Sequence, residues 1–404
     1  MSSTDHRHLL VTNDFPPKVG GIQNYLLELW QRLPAEQAHV YTTPYAHAVA
    51  FDARQRFWIE RSPEPVLLPS PWLARRVDRL AERLDASLVL LDPAVPLGLI
   101  GPRLHRPYGV VLHGAEVTIP GRLPGSSHAL RSVLTQASLV VSAGAYALRE
   151  AERCAGRSLP SVVIPPGVDH ERLVPPSPDE RTRLRRQFGY DDRDVVVTVV
   201  TRLVPRKGLH TLIDAVGRLA TSHPHVRLVI GGTGRELGRL RRQAGDARAR
   251  VEFLGRITDQ EKAERYAAAD LMAMPCNQRW GGLEQEGFGI VFLEAAAVGI
   301  PQIAGRSGGA DEAVVDGVTG IVVDRPDESD AVADALRQLA DDPERRRAMG
   351  LAARRRVETS FDYQLLADRL RLAIDDTIDT GADTRPGPDD TNPHRQPAAR
   401  GSDR

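Results

Sequence analysis

Glu286 and Glu294 stand with seven residues between them, the first beside a glycine-rich loop, the second on an alanine-rich apolar segment, Ile290 to Val298. That segment reads as a helix, and at ~3.6 residues per turn both acids can face one cleft. Carboxylates accept hydrogen bonds from paired hydroxyls, so the spacing suits a polyhydroxylated ligand. The bland alternative is a surface helix carrying two solvated acids.

Arg202 and Lys207 supply the opposite charge, in a loop that follows the apolar run Val195–Val200 and opens a helix. An arginine fork and a mobile ammonium together suit a diphosphate. The chain has only three lysines, Lys18, Lys207 and Lys262, and otherwise uses arginine, so a lysine at 207 points to a specific need for an ammonium. Two solvated loop cations are the alternative. His113 directly follows the run Tyr108–Leu112. That is the carboxyl end of a strand, where ligands bind in open α/β sheets, although a single histidine is as readily structural. Gly20 and Gly21 sit between the run His8–Thr12 and a helical pattern, where a backbone and a helix N-terminus can approach an anion, or where they simply shape a turn.

These residues need a scaffold, and the chain offers two. At 404 residues it is long enough for two domains, and 41% apolar with 26% charged content describes a globular protein. Lys+Arg and Asp+Glu both number 53, which argues against a whole-chain nucleic-acid footprint. Two cysteines, Cys154 and Cys276, make neither a disulfide framework nor a zinc site. The segment Met1–His8 is polar, and no apolar run approaches the ~20 residues that span a bilayer. The expectation is a cytoplasmic protein whose membrane contact, if any, is peripheral and on the inner face.

Apolar runs at Ala38–Thr42, Leu88–Leu91, Leu139–Ser142 and Val162–Ile164 join the first two as strands separated by helices. The alternation then restarts with Val195–Val200, Val226–Ile230, Val251–Arg256, Leu271–Ala273, Gln302–Ala304 and Gly320–Val323. This predicts an α/β protein of two doubly wound Rossmann-like domains, residues 1–178 and 179–358, facing a central cleft. Pro175–Asp179 reads as a linker, residues 359–378 as a terminal helix, and 379–404 as a disordered tail. Pro71–Leu84 is amphipathic, with Arg75, Arg76, Arg79 and Arg83 beside a stripe that includes Trp72. It can pack on the sheet or lie on an anionic membrane. Gly231-Gly-Thr-Gly234 fails as a dinucleotide fingerprint, because the third glycine position is Leu237. Ser307-Gly-Gly is a further turn whose N–H groups can hold phosphate or sugar oxygens.

In this order the motifs resemble those of GT-B-fold retaining glycosyltransferases of family 4. The resemblance is carried by Gly20-Gly21, His113-Gly114, Arg202 with Lys207, and Glu286-x7-Glu294, with Gly299-x-Pro301 and Ser307-Gly-Gly behind them. It covers about residues 8–375. Val11–Pro17, Arg202–Gly208 and Ala273–Cys276 with Glu286–Glu294 are similar to the GDP-mannose-dependent phosphatidylinositol monomannoside α-(1→6)-mannosyltransferases. Two positions depart, Ala115 in place of histidine and Asp311 in place of proline, and the first bears on the acceptor.

The resemblance implies a role for each residue. Arg202 and Lys207 would bind the donor diphosphate and stabilise its leaving charge without a metal. Glu286 would hold the hexose and Glu294 the ribose. Leu254 and Arg256 would border the base, and Gly20 and Gly21 the diphosphate. Gly287, Phe288, Gly289 and Ile290 would line the donor site, with His113 beside the transferred sugar. The donor would be GDP-mannose and the acceptor lipid-linked, with the terminal helix crossing back to the first domain. The rivals are a UDP-sugar transferase acting on another glycolipid or polysaccharide, and a sugar-nucleotide epimerase of the same fold. The missing fingerprint argues against an NAD-dependent oxidoreductase.

Overall fold

The protein is described by a computed structural model covering residues 6–246 and 250–383. Seven strands form the first sheet: β1 His8–Thr12, β2 Ala38–Thr42, β3 Trp58–Arg61, β4 Leu88–Asp92, β5 Tyr108–Leu112, β6 Leu139–Ser142 and β7 Ser161–Val163. All pair in parallel in the order β3-β2-β1-β4-β5-β6-β7. Buried runs such as His-Leu-Leu-Val-Thr suit this, since helices cover both faces of a parallel sheet. The order reverses between β1 and β4, which leaves a crevice at their carboxyl ends.

The second sheet has β8 Val195–Val200, β9 Val226–Gly231, β10 Val251–Gly255, β11 Leu271–Met274, β12 Gln302–Gly305 and β13 Gly320–Val323, all parallel in the order β10-β9-β8-β11-β12-β13. Its reversal falls between β8 and β11, so the loop bearing Arg202 and the loop after Met274 open from adjacent strands. One apolar core fills this half, and two cores lie on either face of the first sheet.

Three expectations are corrected. Strand β3 was not foreseen: Trp58-Ile-Glu-Arg61 is a half-buried edge strand, and its charged end breaks the apolar run. The segment read as a linker becomes a helix at Pro178, because Ser177 caps it by accepting from Glu180 N at 3.2 Å. Arg181 and Arg185 hold that helix to the second sheet through Asp270, at 2.8 and 3.0 Å. The terminal helix runs Tyr363–Asp383, so residues 379–383 are helical; the rest of the expected disordered tail lies outside the described residues. Its Tyr363, Leu366, Leu370 and Ile374 join the core of the first sheet beside the helix Gly21–Trp30.

Candidate active site

The two halves meet along their carboxyl edges. Glu312, on the short helix Ala310–Ala313, accepts from Ala145 N and Tyr146 N at 2.7 and 2.5 Å, capping the first-domain helix Ala145–Ala155. Gln285 donates to the Tyr146 hydroxyl at 3.0 Å, and Arg122 to the Gly281 carbonyl at 3.2 Å. A Cβ built on Gly287 would lie 3.1 Å from the His113 carbonyl oxygen, and one on Gly21 3.9 Å from Ile290 Cδ1. Gly21, His113, Gly287 and Ile290 therefore share one seam.

Glu286 ends the loop before the helix Ile290–Ala297, which opens at Gly289. Its Oε2 lies 2.7 Å from Lys207 Nζ and 3.6 Å from Arg206 Nε, while Oε1 has no partner among the described residues. Burial pushes the Glu286 carboxyl up, but Lys207 and Arg206, with Arg202 farther off, outweigh it and hold the group below its ordinary range. Arg202 is exposed at the mouth of the same loop. Lys207 was expected at the diphosphate; its ammonium donates to Glu286, and two further N–H groups remain to it.

Glycine turns shape this loop. Gly308, at φ +58, has the Glu286 carbonyl oxygen 2.0 Å from where a Cβ would stand, and Gly309 N donates to that oxygen at 3.0 Å. Ser307-Gly-Gly, read as an oxygen-binding turn, thus braces Glu286. Gly232 likewise lies where a Cβ would fall 1.9 Å from the Thr201 carbonyl oxygen. The Gly231–Gly234 turn carries the Arg202 loop, with Leu203 N donating to Thr233 O at 2.9 Å.

Glu294 is a turn and more along the helix. Lys262, on the Thr258-capped helix Asp259–Ala268, donates to its Oε1 at 2.6 Å, and its buried Oε2 has no partner. Burial disfavours the Lys262 charge, yet Glu294 and Asp259 outweigh it and raise the ammonium above its ordinary range. Leu254 and Arg256 lie at the carboxyl end of edge strand β10, where Gly232 N donates to Gly255 O at 2.6 Å. The Phe288 ring is buried edge-on against Phe361 at 5.7 Å. Cys276 Sγ is 3.9 Å from Glu286 Oε2, and burial, with Glu286 adding, pushes its thiol well up.

On the first domain, Gly20 and Gly21 open the helix Gly21–Trp30. The loop before them is gathered on Asp14 Oδ1, which accepts from Lys18 Nζ at 2.7 Å and Gln23 Nε2 at 2.6 Å. His113 Nε2 lies 2.6 Å from Asp92 Oδ1, and its ring stands edge-on to Tyr25 at 5.7 Å. Burial opposes a charged imidazole, but Asp92, with Glu116 and Asp14, raises it above its ordinary range.

The arrangement brings Arg202, Lys207, Glu286 and Glu294 to one edge and His113 and Gly21 to the facing one. Sequence reasoning missed Arg206, Asp14, Asp92 and Glu312. It had noted Lys262 only by its rarity: all three lysines of the chain pair with acids of this cleft region, Lys18 with Asp14, Lys207 with Glu286 and Lys262 with Glu294.

A Glycosyltransferase Family 4 model matches residues 19–172, and a Glycosyl transferases group 1 model matches residues 180–356. The chain is 40% identical over 372 residues, 90% of this chain and 96% of the relative, to the GDP-mannose-dependent alpha-(1-6)-phosphatidylinositol monomannoside mannosyltransferase of Mycolicibacterium smegmatis. It is 38% identical over 374 residues, 91% of this chain and 97% of the relative, to the GDP-mannose-dependent monoacylated alpha-(1-6)-phosphatidylinositol monomannoside mannosyltransferase of Corynebacterium glutamicum. Among solved structures, Anabaena HepE in complex with UDP superposes with a TM-score of 0.77 at 24% identity, over 92% of this chain and 100% of that one. WaaG, a glycosyltransferase involved in lipopolysaccharide biosynthesis, superposes with a TM-score of 0.62 at 19% identity, over 91% of this chain and 98% of that one. With similarity running through both domains, this chain belongs to the family 4, group 1 glycosyltransferases and has their GT-B architecture.

Proposed function

We propose that the protein is a retaining mannosyltransferase that moves mannose from GDP-mannose to a phosphatidylinositol mannoside in α-1,6 linkage. The reading is carried by its identity, over nearly its whole length, to enzymes named for that reaction. The donor edge is consistent with it. Arg202, Arg206 and Lys207 surround the place where a diphosphate's charge would develop, and preorganised cations stabilise such charge without reorganising. No metal is required in this reading. The unpartnered Oε2 of Glu294 suits a ribose hydroxyl, and the open Oε1 of Glu286 suits the hexose. Leu254 and Arg256 border the base, the backbone of Gly287–Ile290 and the Gly20-Gly21 turn line the donor, and His113 lies beside the mannose. Attack comes from the face the phosphate leaves, and the departing phosphate oxygen takes the acceptor proton, so configuration is retained without a protein nucleophile.

Turnover measured with GDP- and UDP-sugars against an extracted lipid pool tests this. GDP-mannose consumed into a mannosylated inositol lipid, with EDTA leaving the rate unchanged, is expected. Transfer from UDP-sugars alone, or epimerised donor without acceptor, sinks the reading.

The lipid acceptor requires approach to a membrane, and the helix Pro71–Arg83 supplies the surface we propose for it. No helix among the described residues is long and apolar enough to cross a membrane. Trp72 is 74% exposed with Arg75 stacked on it at 5.2 Å, and Leu68 is exposed beside it in sequence. Arg76 and Arg83 are paired with Glu64 and Glu60, which leaves Arg75 and Arg79 as the cations open to anionic lipid. Flotation with anionic liposomes that Trp72→Ala with Arg75→Gln and Arg79→Gln does not weaken removes this contact.

A further inference from the structure

Three neighbouring strands of the first sheet deliver one polar residue each to the crevice where the strand order reverses. Thr12 ends β1, Asp92 ends β4 and His113 follows β5. Asp92 is 1% exposed, and both its oxygens are taken. Oδ2 accepts from the Thr12 hydroxyl at 2.6 Å, and Oδ1 faces His113 Nε2 at 2.6 Å. The Thr12 oxygen itself accepts from Asp14 N at 2.8 Å, so its single proton is directed at Asp92. Asp92 is thereby an acceptor on both sides, and the imidazole must present Nε2–H to it. Tyr25 holds the ring edge-on, and its own hydroxyl is bonded to the Ile164 carbonyl at 2.8 Å. His113 Nδ1 has no partner among the described residues.

We propose that Asp92 is a positioning residue of the transfer reaction. It locks the His113 imidazole with Nε2–H turned into the sheet, which leaves Nδ1 as the ring nitrogen that meets the transferred sugar, and Thr12 fixes the carboxylate that does this. The proposal rests on the reading that His113 lies beside that sugar. A histidine's tautomer and orientation are set by what its other nitrogen is bonded to, so removing Asp92 frees both. Asp92, Glu116 and Asp14, all acids, favour the charged ring. In this surrounding Nδ1–H of an imidazolium can donate to a sugar oxygen, and the neutral ring can accept from a hydroxyl there.

The experiment joins ring spectroscopy to a mutant cycle on the full chain. In 15N-histidine spectra of the wild type, His113 should carry its proton on Nε2, and Asp92→Asn or Thr12→Val should release Nδ1-protonated ring. Asp92→Ala should lower kcat by about tenfold or more, with the donor KM within about twofold. In a His113→Ala background the same substitution should cost nothing further, since Asp92 acts through the ring. Thr12→Val should lower kcat in the same direction by less, and it serves where Asp92→Ala fails to fold. A wild-type ring protonated on Nδ1 alone, or an undiminished loss from Asp92→Ala in the His113→Ala background, overturns the proposal. The spectra need no donor, so a failure of the GDP-mannose reading would leave them standing as a separate result.

Discussion

Lys207 Nζ lies 2.7 Å from Glu286 Oε2, with each side chain 8% exposed, so one buried ion pair ties the loop after β8 to the loop before the helix Ile290–Ala297. In the proposed function the pair belongs to the donor site, and in the fold it clasps two loops; the two roles separate on mutation.

Lys207→Ala should lower turnover by about 10²–10³-fold, the usual loss for one preorganised contact to developing charge. It should also lower Tm, because it leaves Glu286 buried with its nearest cation Arg206 at 3.6 Å. Arg202→Ala, at an exposed position, should lose turnover comparably with Tm unchanged. Kinetics and thermal melts on both variants check this; equal Tm losses would mean that Lys207 is no clasp.

The same pair sets a pH dependence. Glu286 lies below its ordinary value of 4.5 in the folded protein, so its contribution to stability is present above that value and lost as pH falls through the folded one. In Lys207→Ala, burial is opposed less, and protonation of Glu286 becomes favourable to the fold. Tm measured from pH 7 down to about 4 should therefore fall more steeply for the wild type than for the variant. Parallel curves would contradict the assignment.

Lys262→Met removes the partner of Glu294 Oε1 and leaves a buried carboxylate with neither oxygen bonded. A charged hydrogen bond is worth about 1.5–3 kcal/mol, so GDP affinity should fall about 10–100-fold. The kcat at saturating donor should change little, because in the proposed function Glu294 holds the ribose, which is remote from the bond that breaks. Titration calorimetry with GDP gives the answer.

Glu312→Ala deletes both bonds by which the second domain caps the helix Ala145–Ala155. A cap contributes about 1 kcal/mol, so the ratio of molecules with the edges together to those with them apart should drop about fivefold. A larger radius of gyration in solution scattering, with GDP affinity unchanged, is the expected outcome. An unchanged radius would show that other contacts hold the seam.

Much of this was legible in the chain because parallel strands buried on both faces read as continuous apolar runs. Val195–Val200 and Tyr108–Leu112 were bounded as they stand. Strand β3 was not, since an edge strand half in water can end in Glu60-Arg61. The site divided in the same way. Residue type and local spacing marked Glu286, Glu294, Lys207 and His113, whereas their partners lie elsewhere in the chain. Asp92 is 21 residues from His113, and Glu312 is 167 from Ala145. No local pattern couples such pairs; the sheet order and the meeting of two edges do. The bracing of Glu286 by Ser307-Gly-Gly was hidden for a related reason, because a glycine that lets a ligand approach and one that lets a neighbouring backbone approach look alike until the neighbour is known.

The helix Tyr363–Asp383 lies against the first sheet although it follows the whole of the second. On the ribosome the first domain thus emerges with an apolar face open where Tyr363, Leu366, Leu370 and Ile374 belong, and it waits through the synthesis of the entire second domain for them. The first domain is finished only after the second has been made, so its core is closed by a helix that follows the second domain in sequence.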